Sequence, residues 1–376
     1  MFNKILKLLP FIIGASVGFV LAFFGVDFIR NITPDWLPPW AIFVAFMVLF
    51  ILGIIIHELG HLFFGWVTGY KFSSLRLGPF IWFKEEDRIR FGASASIVAG
   101  QCLMEPVTDF KDFKFVLYNL GGILFNFALA CIFLLLYIFV DDNLWRNIFL
   151  MGVAINLFFF VMNALPIRWL VNDGANVREA LKSEEAKRGL YVMFYVNSQQ
   201  LKGVRNSDFD ERLFAIENPQ ADYGNYFIAW LVMMEAERLE DLGRYYELPD
   251  AYARLDLKKL PGIYRGMVNA NLMYFYTVYN SDYIWASVLY KDRKVQELLN
   301  SGMGVYRRYS AAYEFFVKEQ TEWGIKILER AKKGIVELPN KAERMMEAER
   351  LEILEEMMWE KLKEEENRNE WFNISN

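Results

Sequence analysis

Long apolar runs dominate the first half of the chain. Four of them are long enough, or nearly so, to cross a bilayer, which takes about 20 helical residues. They lie at 8–26, at 40–56 with a continuation through two histidines to residue 69, at 115–140 and at 147–167. Lys4 and Lys7 precede the first run, so it could instead be the core of a secretory signal, but no small-x-small cleavage motif follows it. The pattern therefore predicts about four transmembrane helices.

The connection between the second and third runs has a different pattern. Residues that favour strands cluster at 72–77, 80–83 and 88–97, around Gly78-Pro79 and a charged turn at 84–88. Short clusters of this kind separated by turn residues are typical of antiparallel strands. We therefore expect a small β-hairpin or sheet here.

From Ser183 onwards, apolar residues recur at helical spacing between charged residues, with glycine and proline at the breaks. Three tyrosine-rich helix pairs are predicted to start near Asn225, Tyr264 and Tyr306, a period of about 40 that suits a tetratricopeptide-like array. A plain helical bundle is the alternative. The segment 341–366 is very rich in charge and predicts a long exposed helix or coiled segment.

Charge divides the chain into two unlike halves. Residues 1–174 hold 12 Lys and Arg and 12 Asp and Glu, whereas residues 175–376 hold 29 and 34. We therefore predict a mainly α protein: a multi-pass membrane helical bundle with the small sheet on its cytoplasmic side, followed by a soluble all-α domain. The expected domains are 1–180 and 181–376.

The basic residues also predict an orientation. The connection 67–114 carries seven Lys and Arg, whereas 30–39 and 141–146 carry one each. Basic connections stay on the cytoplasmic side. The protein is therefore expected in the cell membrane. We expect the cytoplasm to contain its N-terminus, the 67–114 connection and the C-terminal domain. Thiols stay reduced there, so Cys102 and Cys131 are not expected to form a disulfide.

Candidate chemistry lies in the second apolar run, which contains HELGH at 57–61. His57 and His61 share one face of a helix, and Glu58 projects about 100° round from His57. Two imidazoles can bind Zn²⁺ while a carboxylate takes a proton from water. Ionisable groups at membrane depth are costly, by about 2.5 kcal/mol or more each, and seldom occur there without a function. The motif therefore predicts a zinc hydrolase site.

A catalytic zinc needs a third protein ligand. The second and fourth runs are expected to cross the membrane in the same direction, so the residues that follow the fourth run come to the same leaflet as His57 and His61. Asp173 closes this region, with Pro166 ending the helix and Gly174 allowing a tight turn. Asp173 is therefore the expected third ligand, and Glu105 and Asp109 are the alternatives.

These residues resemble the site-2 protease family of intramembrane zinc metalloproteases, over about residues 40–180. The resemblance rests on HELGH in a membrane helix, followed about a hundred residues later by N-x-x-P at 163–166 and by Asp173-Gly174. It implies that His57, His61 and Asp173 bind zinc and that Glu58 is the catalytic base. It also implies a supporting role for Asn126, within the small-residue segment 119–130, and for Asn163. Close packing of helices in lipid explains small residues equally well.

The expected function is hydrolysis of a peptide bond in a protein or peptide substrate, within or next to a membrane-spanning segment. The expected cofactor is Zn²⁺, and the protein is expected to lie in the lipid bilayer. The helical domain could hold a peptide or protein partner. One alternative is a non-proteolytic scaffold anchored in the membrane, and another is a membrane zincin of a different family with a glutamate as third ligand. The net charge of −5 gives no electrostatic case for nucleic-acid binding.

Overall fold

The computed structural model describes residues 39–85, 88–93, 99–167, 169–338 and 340–374. The predicted apolar run at 8–26 lies outside these residues. Contacts divide the chain into two compact units, and the division falls within three continuous helices. The first unit contains the described residues up to Gly60 together with Gly122–Met162, and the second contains His61–Gly121 and the residues from Asn163 onwards.

Three long apolar helices follow the remaining predicted runs: α1 (Pro39–Val67), α2 (Phe115–Phe139) and α3 (Asn143–Ala164). All three are long and apolar enough to cross a membrane. Many of their large apolar side chains are exposed, including Ile132 and Phe139. Such exposure suits helices surrounded by lipid. Three of the four predicted runs are thus apolar helices of spanning length, and the predicted count of four stays a prediction.

The bounds of α3 differ from the predicted run at 147–167. The helix begins at Asn143, where Asp142 Oδ1 accepts a hydrogen bond of 3.0 Å from the backbone N–H of Trp145 and so caps the first turn. It ends at Ala164 because Pro166 cannot continue the helix and restricts the residue before it.

Small residues allow close helix packing within the first unit. A Cβ atom added to Gly53 would lie 2.7 Å from the ring of Phe159, and one added to Gly152 would lie 2.7 Å from the ring of Phe133. Phe133 also belongs to the small buried cluster of this unit, with Leu49 and Ile155. The glycines therefore make room for the large aromatic side chains that fill the unit.

The second unit contains a four-stranded antiparallel sheet with the strand order β3-β2-β1-β4. Its strands are β1 (Tyr70–Leu77), β2 (Phe80–Glu85), β3 (Arg88–Ala93) and β4 (Gly100–Pro106). Gly78 adopts a φ of 57° in the turn between β1 and β2, which glycine tolerates without strain. The predicted small sheet is confirmed, and β4 is an additional strand that the pattern did not predict.

Helices make up most of the rest of this unit. Among the described residues they are α4 (Asp173–Ala180), α5 (Glu184–Lys202), α6 (Tyr226–Asp241), α7 (Leu248–Ala253), α8 (Gly262–Val278), α9 (Tyr283–Tyr290), α10 (Arg293–Asn300), α11 (Gly304–Ala312), α12 (Thr321–Gly334) and α13 (Lys341–Ile374). A π-helical turn, Tyr313–Val317, follows α11. The second half of the chain is therefore helical, as predicted.

Three of these helices, α6, α8 and α11, begin within two residues of the predicted starts. Helix α9 packs on α8, and α12 packs on α11, so two of the expected pairs are present. The last helix, α13, returns to contact α5 as well as α11 and α12. A linear repeat array contacts only neighbouring repeats, so this return contact is a feature of a closed bundle.

Helix α13 differs from the exposed helix predicted for 341–366. Leu351, Leu354 and Met358 are almost fully buried, although charged residues surround them in the sequence. Their spacing of three and four residues places them on one face, which packs into the same core cluster as Phe315 and Leu328. The helix is therefore amphipathic over 342–358, and the predicted exposure on all sides is found at 363–367.

Within the second unit the sheet packs against α5. Tyr70, Cys102 and Met104 from the sheet share one buried cluster with Leu190 and Phe194 from α5. The sheet and the first helices of the C-terminal half thus have a common core. The proposed domain boundary after residue 180 stays a prediction.

Candidate metal centre

The two histidines lie one helical turn apart near the C-terminal end of α1. His57, Glu58 and His61 have exposed fractions of only 9%, 6% and 6% in a helix whose other residues are almost all apolar. Buried ionisable side chains need partners, because burial without them costs several kcal/mol. The hydrogen bonds of the two imidazoles therefore indicate what each ring nitrogen can do.

His57 is held from α2 within the first unit. Its Nδ1 lies 2.7 Å from Asn126 Oδ1. The amide nitrogen of Asn126 donates to the carbonyl of Gly53 at 2.9 Å and to Asn156 Oδ1 at 3.0 Å, which sets the orientation of the amide. Because Asn126 Oδ1 is an acceptor, Nδ1 of His57 carries the proton, and Nε2 is the ring nitrogen with the lone pair that a metal requires.

His61 is held in the same manner within the second unit. Its Nδ1 lies 2.8 Å from the backbone carbonyl of Tyr118, at the start of α2. The Tyr118 ring lies beside the imidazole, with 5.5 Å between ring centroids, and its hydroxyl donates to the carbonyl of Cys102 at 2.5 Å. The carbonyl acceptor again places the proton on Nδ1, so Nε2 is the ring nitrogen with the lone pair that a metal requires.

Asp173 lies beside His61, with Oδ2 3.3 Å from His61 Nε2. It is the first residue of α4, whose N-cap is Asn172: Asn172 Oδ1 accepts from the backbone N–H of Ala175 at 2.9 Å, and its amide donates to the carbonyl of Leu165 at 2.6 Å. Asp173 is therefore positioned by a capped helix rather than by the tight Asp-Gly turn expected from the sequence.

Gly174 has a different role from the one predicted. It lies within α4, and a Cβ atom there would come 2.4 Å from the backbone carbonyl oxygen of Ala164. The glycine thus lets the start of α4 lie directly against the end of α3. Close backbone approach, rather than turn formation, explains why this position is small.

Val171 lies in the connection between Pro166 and Asp173. Val171 has a φ of 52°, which is unfavourable for a β-branched side chain, and it packs against the large core cluster of the second unit. Such strain costs about 1–3 kcal/mol and persists only where the surroundings enforce it. Packing of its side chain therefore holds Val171 in this conformation.

The three predicted ligands form one group. His57, His61 and Asp173 each offer one ligand atom, and these atoms lie within 4.8 Å of one another. Two neutral imidazoles and one carboxylate are the donor set of many catalytic zinc sites. Because both Nδ1 atoms are hydrogen-bonded elsewhere, the Nε2 atoms and the carboxylate fit the requirements of Zn²⁺.

Gly122 of α2 provides the space for His57. A Cβ atom at this position would lie 2.5–2.6 Å from three atoms of the imidazole ring. The small residues at 119–130 had two explanations, a supporting role at the site and close packing of helices. Close packing accounts for Gly122, and the side chain that packs against it is the predicted zinc ligand His57. No larger residue fits at this position without displacing the imidazole.

The alternative ligands do not belong to this group among the described residues. Glu105 accepts hydrogen bonds from Lys202 at 2.9 Å and from Gln199 at 2.8 Å, and Asp109 precedes a short 3₁₀ turn. Asn163 lies in the last turn of α3, where its carbonyl faces Gly174. Its predicted supporting role, like the ligand and base assignments, stays a prediction.

Two contacts of the site were not anticipated from the sequence. The amide of Asn156, which is fully buried, orients Asn126 and donates to the carbonyl of Gly152. A buried amide in an apolar run is a signal that could have identified Asn156. The contact of Tyr118 with His61 uses a backbone carbonyl, for which the side chain gives no signal.

Comparison with known families gives a match within the first half of the chain. Peptidase family M50, the site-2 protease family, matches residues 45–142, which include His57, Glu58 and His61. The resemblance stated from the sequence is confirmed for this segment, and members of this family are zinc metalloproteases. Comparisons with curated proteins and with solved structures find no match.

Proposed function

We propose that the protein is an intramembrane zinc metalloprotease in which His57, His61 and Asp173 hold the metal. The observation that carries the proposal is the pair of Nδ1 hydrogen bonds, at 2.7 and 2.8 Å, which place the metal-binding lone pairs on Nε2 of two histidines that form one group with a carboxylate. A purely structural pair of histidines would not need a third donor at this distance. The family match supports the same conclusion for the segment 45–142.

When bound, zinc supplies Lewis acidity, which lowers the pKa of water and polarises a peptide carbonyl. Glu58 is proposed to accept the proton of the attacking water and to deliver it to the leaving amine. Glu58 directly follows His57 in the sequence, and its exposed fraction is only 6%. Asn126 is proposed to hold His57 in the tautomer that can bind metal.

The proposed substrate is a membrane-spanning segment, or the border of one, in a protein or peptide. Three apolar helices long enough to cross a bilayer support this location. The basic connections support a cytoplasmic N-terminus and a cytoplasmic C-terminal domain. We further propose that the helical C-terminal domain selects or presents substrates, because it has no site of its own that resembles a catalytic centre among the described residues.

Glu58→Gln tests the proposal. This variant keeps the ligands and removes the proposed base, so it should retain zinc and lose cleavage. Quantitative proteomics of membrane peptides should find products in cells with the wild-type protein that are absent from cells with the variant. Identical peptides, together with full biological activity of the variant, would instead support the membrane scaffold.

A further inference from the structure

Two asparagine residues lie inside the apolar helices of the first unit. Asn126 is near the middle of α2 and Asn156 near the middle of α3, and both are fully buried. A buried amide among apolar side chains is costly unless it is hydrogen-bonded, and polar residues at membrane depth seldom occur without a function. The proposed function gives Asn126 a role as the partner of His57. It gives none to Asn156.

The hydrogen bonds of these two residues form one chain with a single direction. Asn156 Nδ2 donates to the backbone carbonyl of Gly152 at 2.9 Å, and Asn126 Nδ2 donates to Asn156 Oδ1 at 3.0 Å. Asn126 Oδ1 lies 2.7 Å from His57 Nδ1. The chain ends at a backbone carbonyl, which can only accept and which does not depend on the side chain at position 152. Each preceding group is therefore fixed as a donor, and all four residues lie in the first unit.

A second backbone carbonyl favours the same direction. Asn126 Nδ2 also donates at 2.9 Å to the carbonyl of Gly53, which lies one helical turn before His57. If the amide of Asn126 turned over, its oxygen would face two acceptors, and both hydrogen bonds would be lost. Its NH₂ group would then donate to His57 Nδ1, which places the imidazole proton on Nε2. Asn156 thus supplies one of the two contacts that oppose this change.

We propose that Asn156 is a positioning residue of the metal site, which holds Asn126 in the orientation that keeps the His57 proton on Nδ1. This inference rests on the proposed function, in which His57 binds zinc. Hydrogen bonds in a chain of low local dielectric polarise one another, so the second amide strengthens the contact made by the first. Partners that orient a metal-binding imidazole change metal affinity about 10–100-fold, and here the orienting contacts extend to a third helix.

The test measures the tautomer of His57 directly. The chain has two histidines, and His61→Gln assigns their signals. Full-length protein labelled with ¹⁵N in its histidines is placed in lipid bilayers and measured by solid-state NMR, as purified and after metal removal by a chelator. The sample is kept at about pH 8.5, where a free imidazole is neutral. In the metal-free wild type we expect the His57 proton on Nδ1.

Asn156→Leu removes the amide and keeps a similar volume. It should place a measurable fraction of the His57 proton on Nε2, because one of the two contacts that orient Asn126 is lost. In a competition titration with a chelator it should lower zinc affinity by about threefold to tenfold. This loss is smaller than the effect expected from removal of a direct partner of the imidazole.

The protein offers two controls. His61 is an internal control, because its Nδ1 is held by the carbonyl of Tyr118 and both residues lie in the second unit. Its tautomer should be the same in Asn156→Leu and in the wild type. Asn147→Leu is the matched variant: Asn147 lies on α3 and also donates to the carbonyl four residues before it, at 2.7 Å, but it is not part of the chain. It should keep wild-type tautomers and zinc affinity.

Three results would overturn the proposal. The first is an unchanged His57 tautomer in Asn156→Leu, or an unchanged zinc affinity. The second is an equal change in both histidines, which would indicate general loosening. The third is the same change in Asn147→Leu. If Asn156→Leu does not fold, Asn156→Ala is judged by the same criteria. Failure of the wild type to bind zinc would instead contradict the proposed function, and the tautomers of the metal-free protein would still show whether Asn156 positions His57.

Discussion

Gly122→Ala adds one methyl group directly against the proposed zinc ligand. Its Cβ would lie 2.5 Å from His57 Cε1 and 2.6 Å from both ring nitrogens. Carbon atoms in contact prefer about 3.5–4.0 Å, so the imidazole has to move by about 1 Å. The hydrogen bond from His57 Nδ1 to Asn126, now 2.7 Å, would then lengthen beyond the range of hydrogen bonds.

Zinc binding should suffer more than folding does. Zinc–nitrogen bonds of about 2.0–2.1 Å tolerate deviations of only about 0.2 Å, and loss of an orienting partner alone weakens metal binding about 10–100-fold. We therefore expect Gly122→Ala to lower zinc affinity by at least about tenfold. The measurement is a competition titration with a chelator on the purified full-length protein.

Gly152→Ala is the control for overpacking. Its Cβ would lie 2.7 Å from the Phe133 ring, so it produces a similar clash in the same unit without contact to a histidine. Both substitutions gain the same helix propensity and both cost about 1–3 kcal/mol of stability. Gly152→Ala should keep wild-type zinc affinity. Unchanged affinity in Gly122→Ala would refute the inferred constraint on His57.

Three further predictions concern the ligand set, the orientation and the helical domain. Asp173→Asn should weaken zinc retention and abolish cleavage, since an amide oxygen is a poorer zinc donor than a carboxylate. Glu105→Gln and Asp109→Asn are the controls, and elemental analysis should find the wild-type zinc content in both. In a variant without the native cysteines, a membrane-impermeant thiol reagent applied to intact cells should label Asp142→Cys and not Glu360→Cys; labelling of position 360 would contradict the orientation. Removal from water, together with repulsion from Glu240, raises the pKa of Glu237 to about 7. The folded state therefore binds a proton more tightly than the unfolded state, and the protein loses stability as the pH rises from about 4.5 to about 7. Glu237→Gln should therefore raise the free energy of unfolding at pH 8 by about 1 kcal/mol or more and leave it nearly unchanged at pH 4, as chemical denaturation can show.

The apolar pattern predicted α1, α2 and α3 because long uncharged runs have few alternatives to a membrane helix. Their ends depended on local chemistry that the pattern ignores, such as the Asp142 cap and Pro166. Strand β4 was missed because its seven residues include a glutamate and a proline, while the alternation of buried Cys102 and Met104 is too short to stand out. The buried face of α13 was hidden by the charge that surrounds it.

The candidate site was predictable to the extent that its chemistry is local. His57, Glu58 and His61 lie within five residues, so a helix alone fixes their relation. The proximity of Asp173 to His61 followed from topology, but the capped helix that positions it did not, because that depends on the contact between Gly174 and the end of α3. The contacts of Asn126 and Tyr118 with the imidazoles depend on tertiary packing and became evident only in the structure.

X-ray absorption at the zinc edge of the purified full-length protein tests the central claim most directly. The account predicts about one zinc per chain, bound by two imidazoles and by oxygen ligands at about 2.0–2.2 Å with no sulfur ligand, and the loss of this signal in His57→Ala and in His61→Ala. A zinc shell that contains sulfur, or a spectrum and zinc content unchanged in both histidine variants, would contradict it.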